Sequence, residues 1–310
     1  MIKGLLITFL AVLLMGIASF AIFIIYQNFP GEPEEFSVFS KSENLKQNVS
    51  YGKTPVFMPN MRFNHTMISY SIEPSCPVER REKMQEAFII IEQRTKLSFY
   101  ERQADSDISV RCSKNAIETE KNLFLAGEGG PSEFIQTELY NVILKGQILL
   151  YQESLCDYPI VELHELLHVL SFDHSKDPSN IMYNFSNCEQ EITDEIIETI
   201  NSLYSIEPLS ELYIGNITAV KKGSYLDFQI TLKNKGLIPA QAVSLSVYSG
   251  DKEIKSFSFE TISVEAGQIL KVENLKLPSR STSEIKFIID SENKLIEYDK
   301  TNNVLEMSVG

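Results

Sequence analysis

Histidine is scarce in this chain. Four occur in 310 residues, and three of them, His164, His168 and His174, fall within eleven positions. The fourth, His65, lies far upstream. Cations are also outnumbered: 28 Lys and Arg stand against 42 Asp and Glu, a formal net charge of -14. A nucleic-acid binder needs clustered Lys and Arg to neutralise phosphates, so that class is excluded. The acid excess is that of a soluble surface. Cysteine is limited to Cys76, Cys112, Cys156 and Cys188, and none forms a Cys-x-x-Cys pair. No internal repeat is evident, which removes repeat architectures. The hydrophobic share of 43% is ordinary, so each large segment can build a core.

Charge is nearly absent from the N-terminus. "MIKGLLITFLAVLLMGIASFAIFIIYQNFP" carries only Lys3, and its apolar run continues to Tyr26. About 20 such residues cross a bilayer. A cleaved signal peptide has a shorter apolar core, about 7–15 residues, and a small-x-small cleavage site. Ala18-Ser19-Phe20-Ala21 resembles such a site, but the apolar run passes beyond it. Residues 1–27 are therefore expected to be a transmembrane anchor. Lys3 holds the short N-terminus inside, Tyr26 sits at the outer interface, and the rest of the chain faces outward. In an exported chain four cysteines read as two disulfides, with three connectivities open.

Residues 28–55 mix Pro, Gly, Ser and acids with little periodicity and read as a stalk linker. Order is expected from Val56. "HTMISYSIE" alternates as a strand. Met84, Ala87, Phe88, Ile91 and Thr95 recur at helical spacing, which predicts an amphipathic helix over 78–96. "KLSFYE" and "DISVRC" read as short strands, and "LFLAGEGGPSE" as a Gly-rich loop. "NVILKGQILLYQ" reads as one or two strands around Gly146. "ITDEIIETINSLYS" reads as a helix with Thr193 as N-cap. Residues 56–207 thus form an α+β domain. Composition changes after Pro208, and 210–310 hold about seven short strands punctuated by turns, the pattern of an all-β sandwich. This order of elements favours local pairing of the cysteines. Cys76 opens the long helix and Cys112 ends a strand beside it, while Cys156 and Cys188 bracket the histidine segment. Phe134 and Tyr140 read as core or surface aromatics.

The histidine segment is "HELLHVLSFDHSKDPSNIMY", residues 164–183. On a helix His164 and His168 share one face. Paired neutral imidazoles suit Zn²⁺. Glu165 is rotated by about 100° from His164 and reaches the open side of such a site. His174 follows six residues after His168, so the chain must turn to return it to the metal.

The stretch resembles the metzincin motif H-E-x-x-H-x-x-G-x-x-H followed by a Met-turn. It is most similar to the matrixins, whose pattern continues H-S-x-x-P-x-x-x-M-Y; here the run His174-Ser175 to Met182-Tyr183 matches it, with Pro178 in place. The resemblance covers roughly residues 60–206. It implies a metzincin-like catalytic domain, a twisted mixed sheet plus helices, with His164, His168 and His174 as ligands of one Zn²⁺. It implies Glu165 as general base, Met182 as apolar floor beneath the metal, and Tyr183 as part of the substrate pocket. His65 alone cannot supply the family's second, structural zinc. The sequence gives no reading on calcium. Two departures stand out: the family's Gly is Ser171, and the Pro after Met-Tyr is Asn184. A peptide or protein substrate is expected to lie extended along a sheet edge, formed by "LFLAGEGGP" or "FIQTELYNVIL".

"NKGLIPAQAVSLSVYSG" and "IDSENKLIEYDKTNN" resemble the CARDB sandwich of prokaryotic surface proteins through Asn234, Gly236, Asn302 and Asn303. That resemblance implies an immunoglobulin-like domain that binds a cell-surface partner. Together these readings predict a membrane-anchored, outward-facing zinc endopeptidase without nucleic-acid partners. The competing reading is a surface adhesion protein with a non-catalytic zinc. Intact Glu165 and only three protein ligands weigh against it, since structural zinc usually has four.

Overall fold

A computed structural model describes residues 2–28, 30–39, 49–113, 117–118, 124–151 and 156–309. Its elements begin with α1 (Ile2–Asn28), β1 (Pro33–Phe39), β2 (Met61–Phe63), β3 (Met67–Ile72) and α2 (Val78–Arg94). Next come β4 (Ser98–Glu101), β5 (Ile108–Cys112), β6 (Ile117–Glu118), β7 (Phe124–Leu125), β8 (Gly127–Gln136) and β9 (Asn141–Leu150). Two helices follow, α3 (Ile160–Val169) and α4 (Asp194–Tyr204). The remaining strands are β10 (Leu212–Lys222), β11 (Tyr225–Asn234), β12 (Ala240–Ser249), β13 (Lys252–Ile262), β14 (Gln268–Lys276), β15 (Glu284–Ile289) and β16 (Val304–Ser308). They form two compact units, one of Asn44–Leu209 with Lys235–Ile238, the other of Met1–Glu43 with Ser210–Asn234 and Pro239–Gly310.

The first unit is α+β. Its sheet runs β9-β5-β3-β4 in parallel, with β2 also parallel to β9. The crossover from β3 to β4 is α2, as parallel neighbours require. Met84, Ala87, Phe88 and Ile91 bury one face of α2 in a core shared with Leu163, Leu166 and Leu167 of α3. β9 is one continuous strand through Gly146. A side chain there would collide with Val169 of α3, so the glycine sets the helix–sheet distance. The segment expected as a Gly-rich loop is largely the strand β8, antiparallel to β9 and at the sheet edge. Of the two edge candidates, "LFLAGEGGP" supplies Gly127–Pro131 of the border strand β8, while "FIQTELYNVIL" spans the end of β8 and the start of β9, which lies inside. Disulfides join Cys76 to Cys112 and Cys156 to Cys188. Each closes a loop of 36 or 32 residues, worth about 3–4 kcal/mol in the loop-entropy description.

The expected linker is partly built into both units. Residues 40–48 of it lie outside the described residues. Residues Ser50, Gly52 and Lys53 run along α4, their N–H groups donating to Ser202, Thr199 and Glu195 side chains. Upstream, β1 pairs antiparallel with β10 from Pro33↔Lys222 to Phe39↔Asn216. The cause is a short alternation in "PEEFSVF". Phe36 and Val38 turn onto the sandwich core while Glu35 and Ser37 face outward. Pro33 begins the strand, where a missing N–H costs no ladder bond. At α4, Thr193 is extended as an N-cap should be, but its hydroxyl makes no capping bond and is buried without a partner.

The second unit is a sandwich of two antiparallel sheets, β1-β10-β11-β14 and β13-β12-β15-β16. Alternate residues such as Leu226, Phe228, Ile230 and Leu232 point inward to Val243, Leu245 and Phe287. The asparagines of the sequence motif are internal tethers. Asn234 is 1% exposed and accepts from the N–H of Glu211 while donating to Ile262 O. Asn302 donates to Glu211 and Asn303 to Glu297. Glu297 in turn accepts from the N–H of Leu212. Burial raises the Glu297 pKa. The other end of the chain is α1, 27 residues long, with exposed apolar side chains from Ile7 to Tyr26. It is long and apolar enough to cross a membrane.

If β1 is integral to the sandwich, replacing both Phe36 and Val38 by Ala in the full chain should lower the unfolding free energy of that unit by about 1–3 kcal/mol. Denaturant titration followed by hydrogen exchange of β10 amides checks this. Unchanged protection of β10 would show that β1 is dispensable.

Candidate metal centre

All ten residues of α3 are buried, so its histidines sit inside the unit rather than on a wet surface. His164 and His168 project from one face at i and i+4. The helix stops at Val169, and the chain reverses at Ser171, where φ is +83°. That left-handed turn returns His174 to the same point. The three Nε2 atoms lie 3.0 Å (His164–His168), 3.3 Å (His164–His174) and 3.3 Å (His168–His174) apart. Backbone carbonyls orient two of the rings. The Nδ1–H of His164 donates to Ile181 O at 2.7 Å, and that of His168 to Phe172 O at 2.8 Å. This leaves Nε2 as the lone-pair nitrogen on both. Phe57 stacks on His168 with ring centroids 5.6 Å apart.

The electrostatics match. Burial drives the His164 pKa down to about 4, and His168 and His174 push in the same direction. His168 is lowered mainly by burial too. Both imidazoles are therefore neutral at pH 7, and close lone pairs repel unless a cation lies among them. A tetrahedral ion with Zn–N bonds of ~2.0–2.1 Å places its nitrogens about 3.3–3.4 Å apart. The observed separations fit that cradle. Among the described residues this is the one group of three His, Cys, Asp or Glu side chains close enough to hold an ion. His65 is elsewhere, with its ring nitrogens 2.6 Å from Asn64 Oδ1 and 3.2 Å from Asp107 Oδ2.

Glu165 is 4% exposed and borders the same cleft of about 690 Å³ as the three histidines. Burial raises its pKa to about 8, and the Glu128 carboxylate adds to the rise. The N–H of Gly129 donates to it and opposes the shift. β8 presses on α3 here. A Cβ on Gly127 would stand 2.7 Å from Glu165 Cγ, and one on Gly129 would strike the Glu165 backbone. Glu128, between these glycines, faces the cleft and accepts from the Tyr151 hydroxyl at 3.0 Å.

Met182 is fully buried beside Ile181, whose carbonyl holds His164. Its N–H donates to Asn180 Oδ1 at 2.8 Å, and Asn180 Nδ2 reaches Thr54 at 3.0 Å. Tyr183 is half-buried, and its ring centroid lies 6.0 Å from that of Phe185. Asn184, Phe185 and Ser186 line the cleft. Sequence reasoning missed Phe57, Gly127, Gly129, Asn180 and Phe185. The Gly-x-Gly in "LAGEGGP" was a signal, since glycine inside a strand marks close approach by another backbone.

Residues 62–205 match the matrixin family and residues 210–307 match the CARDB family. The chain thus joins a matrixin domain to a CARDB domain. No curated protein matches it significantly. Among solved structures it is similar to a CARDB domain from Pyrococcus furiosus crystallised in complex with di-metal ions, at 17% identity over 33% of this chain and 88% of that one, with a TM-score of 0.27. It is also similar to a domain of a protein from Methanosarcina acetivorans described as a cell-surface protein, at 16% identity over 27% and 73% of the two chains, with a TM-score of 0.24.

Two tests follow from this geometry. Ser171 holds a positive φ and its buried hydroxyl lacks a partner. Ser171→Gly should stabilise the protein by about 1 kcal/mol, seen as a higher denaturation midpoint. A lower midpoint would mean that the turn is unstrained. The second test concerns Glu165 in chelator-treated protein. Its folded pKa is about 8 against 4.5 for a free glutamate, so the folded state binds more protons between those values. Its contribution is present below pH 4.5 and is lost as pH rises towards 8. The stability of Glu165→Gln relative to the parent should therefore grow with pH across that window. A constant difference would refute the burial argument.

Proposed function

We propose that the chain is a membrane-anchored, outward-facing zinc endopeptidase. The matrixin match supports a metallopeptidase of the metzincin type. The observation that carries the zinc reading is the convergence of three Nε2 atoms at distances that suit tetrahedral coordination. In this reading His164, His168 and His174 hold one Zn²⁺. When bound, the ion supplies Lewis acidity to a carbonyl and acidifies water. Glu165, on the adjoining wall, takes the proton of the attacking water and returns it to the leaving amine nitrogen. Burial raises its proton affinity, and a bound dication would favour the carboxylate form that the first transfer needs. β8, at the sheet edge, offers main-chain groups to an extended peptide. Met182 supports the His164 side of the floor, and Phe185, with Tyr183 beside it, forms the apolar wall. The anchor reading rests on α1, and the outward orientation on Lys3 and the disulfides. The CARDB domain adds a surface for a cell-surface partner.

Glu165→Ala should keep stoichiometric zinc and lose peptide hydrolysis by at least ~10²–10⁴-fold, because a proton carrier is removed and no metal bond. His168→Ala should lose the metal. Zinc content and cleavage of a peptide library, measured on both variants and the parent, check this. A parent that binds zinc but cleaves nothing would favour the adhesion reading instead.

A further inference from the structure

The end of α1 is held by the sandwich. A helix leaves its last carbonyls without intrahelical partners, and they carry the negative end of the macrodipole. Here side chains of the C-terminal domain take them up. Arg280 donates to Tyr26 O at 3.1 Å and its guanidinium lies 4.2 Å from the centroid of the Tyr26 ring. Lys276 donates to Gln27 O at 3.2 Å and to Asn28 Oδ1 at 2.9 Å. Ser224 donates to Gln27 O, and the N–H of Arg280 to Gln27 Oε1. The chain then leaves at Gly31, packed so closely on Gly223 and Arg280 that a Cβ would lie 2.7 Å from the Arg280 guanidinium. β1 follows at once and joins the sheet.

Depth follows from these bonds. The apolar run of α1 ends at Tyr26, and a helix of that length consumes the ~30 Å hydrocarbon core. Groups bonded to the Tyr26 and Gln27 carbonyls therefore stand within the headgroup layer, about 5–8 Å thick on each side. Lys222 nearby is matched by Asp227 at 2.8 Å. Glu32 and Glu34 are exposed in the exit segment. Lys276 and Arg280 are different, since their partners are carbonyls, an amide and the rings of Tyr225 and Tyr26 rather than carboxylates. Two cations that form no ion pair among the described residues thus stand at phosphate depth on a chain of net charge -14.

We infer that the C-terminal sandwich is seated on the outer membrane face, with Lys276 and Arg280 bound to lipid headgroup phosphates. The inference rests on the anchor reading of α1. The test uses the full chain in phosphatidylcholine vesicles containing one-quarter phosphatidylglycerol. All described cysteines are disulfide-bonded, so Ser281→Cys gives a single labelling site beside Arg280. The fluorescent label should be quenched strongly by headgroup spin-labelled lipid and weakly by aqueous iodide. Adding Lys276→Glu with Arg280→Glu should reduce the lipid quenching at least threefold and raise that by iodide, and the milder Lys276→Gln with Arg280→Gln should shift both in the same direction. Circular dichroism checks that the sandwich stays folded in each. A label quenched mainly by iodide in the parent, or quenching that neither pair of substitutions alters in folded protein, overturns the docking. A chain extracted by alkaline carbonate overturns the anchor and the docking together; a retained chain with an iodide-accessible label overturns the docking alone.

Discussion

Three imidazole Nε2 atoms aimed at one point, two of them fixed as lone-pair nitrogens, form an arrangement that is unfavourable by itself. Their separations of 3.0–3.3 Å are those that a bound cation would require. Everything near them works to hold that arrangement. Ile181 and Phe172 carbonyls fix the two helical rings, Phe57 backs one of them, and Ser171 accepts a strained dihedral so that His174 can return. The cost is spread over a helix buried on every side and a turn packed against the core. An ion entering such a fixed geometry would leave little ordering to be done.

The acid beside the cradle obeys the same economy of space. Glu165 is placed by contact with a strand that has no side chains where it passes. Gly127 and Gly129 let β8 approach so closely that a backbone N–H meets the carboxylate. That approach dries the group and lifts its pKa. The edge of the sheet and the chemistry of the helix are therefore two sides of one contact.

Local signals were legible in the sequence. His164, Glu165 and His168 declare themselves by helical spacing, and His174 by the turn that must precede it. The strain at Ser171 was readable from a residue standing where a glycine is usual, and its φ of +83° agrees. The parts that escaped depend on distant partners. "LAGEGGP" reads as a loop because glycine weakens a strand, yet here its bareness answers to α3 some 35 residues later in the chain. "PEEFSVF" is short, acidic and begins with Pro, and only the presence of β10 makes it a strand. Thr193 sits where a cap belongs but leaves its hydroxyl unpaired, so composition located the helix start without its bonding.

The pairing of β1 with β10 has a temporal side. Phe39 leaves the ribosome before the compact unit of Asn44–Leu209, and its partner Asn216 emerges after it. During synthesis the strand waits with its ladder groups unpaired, while the intervening unit can collapse on its own core. Closing so long a loop late is slow on topological grounds. Its charged Glu34 and Glu35 and its leading Pro33 discourage pairing with strangers in that interval. That sheet joins the first forty or so residues to the last hundred, so its closure requires that everything between has been translated.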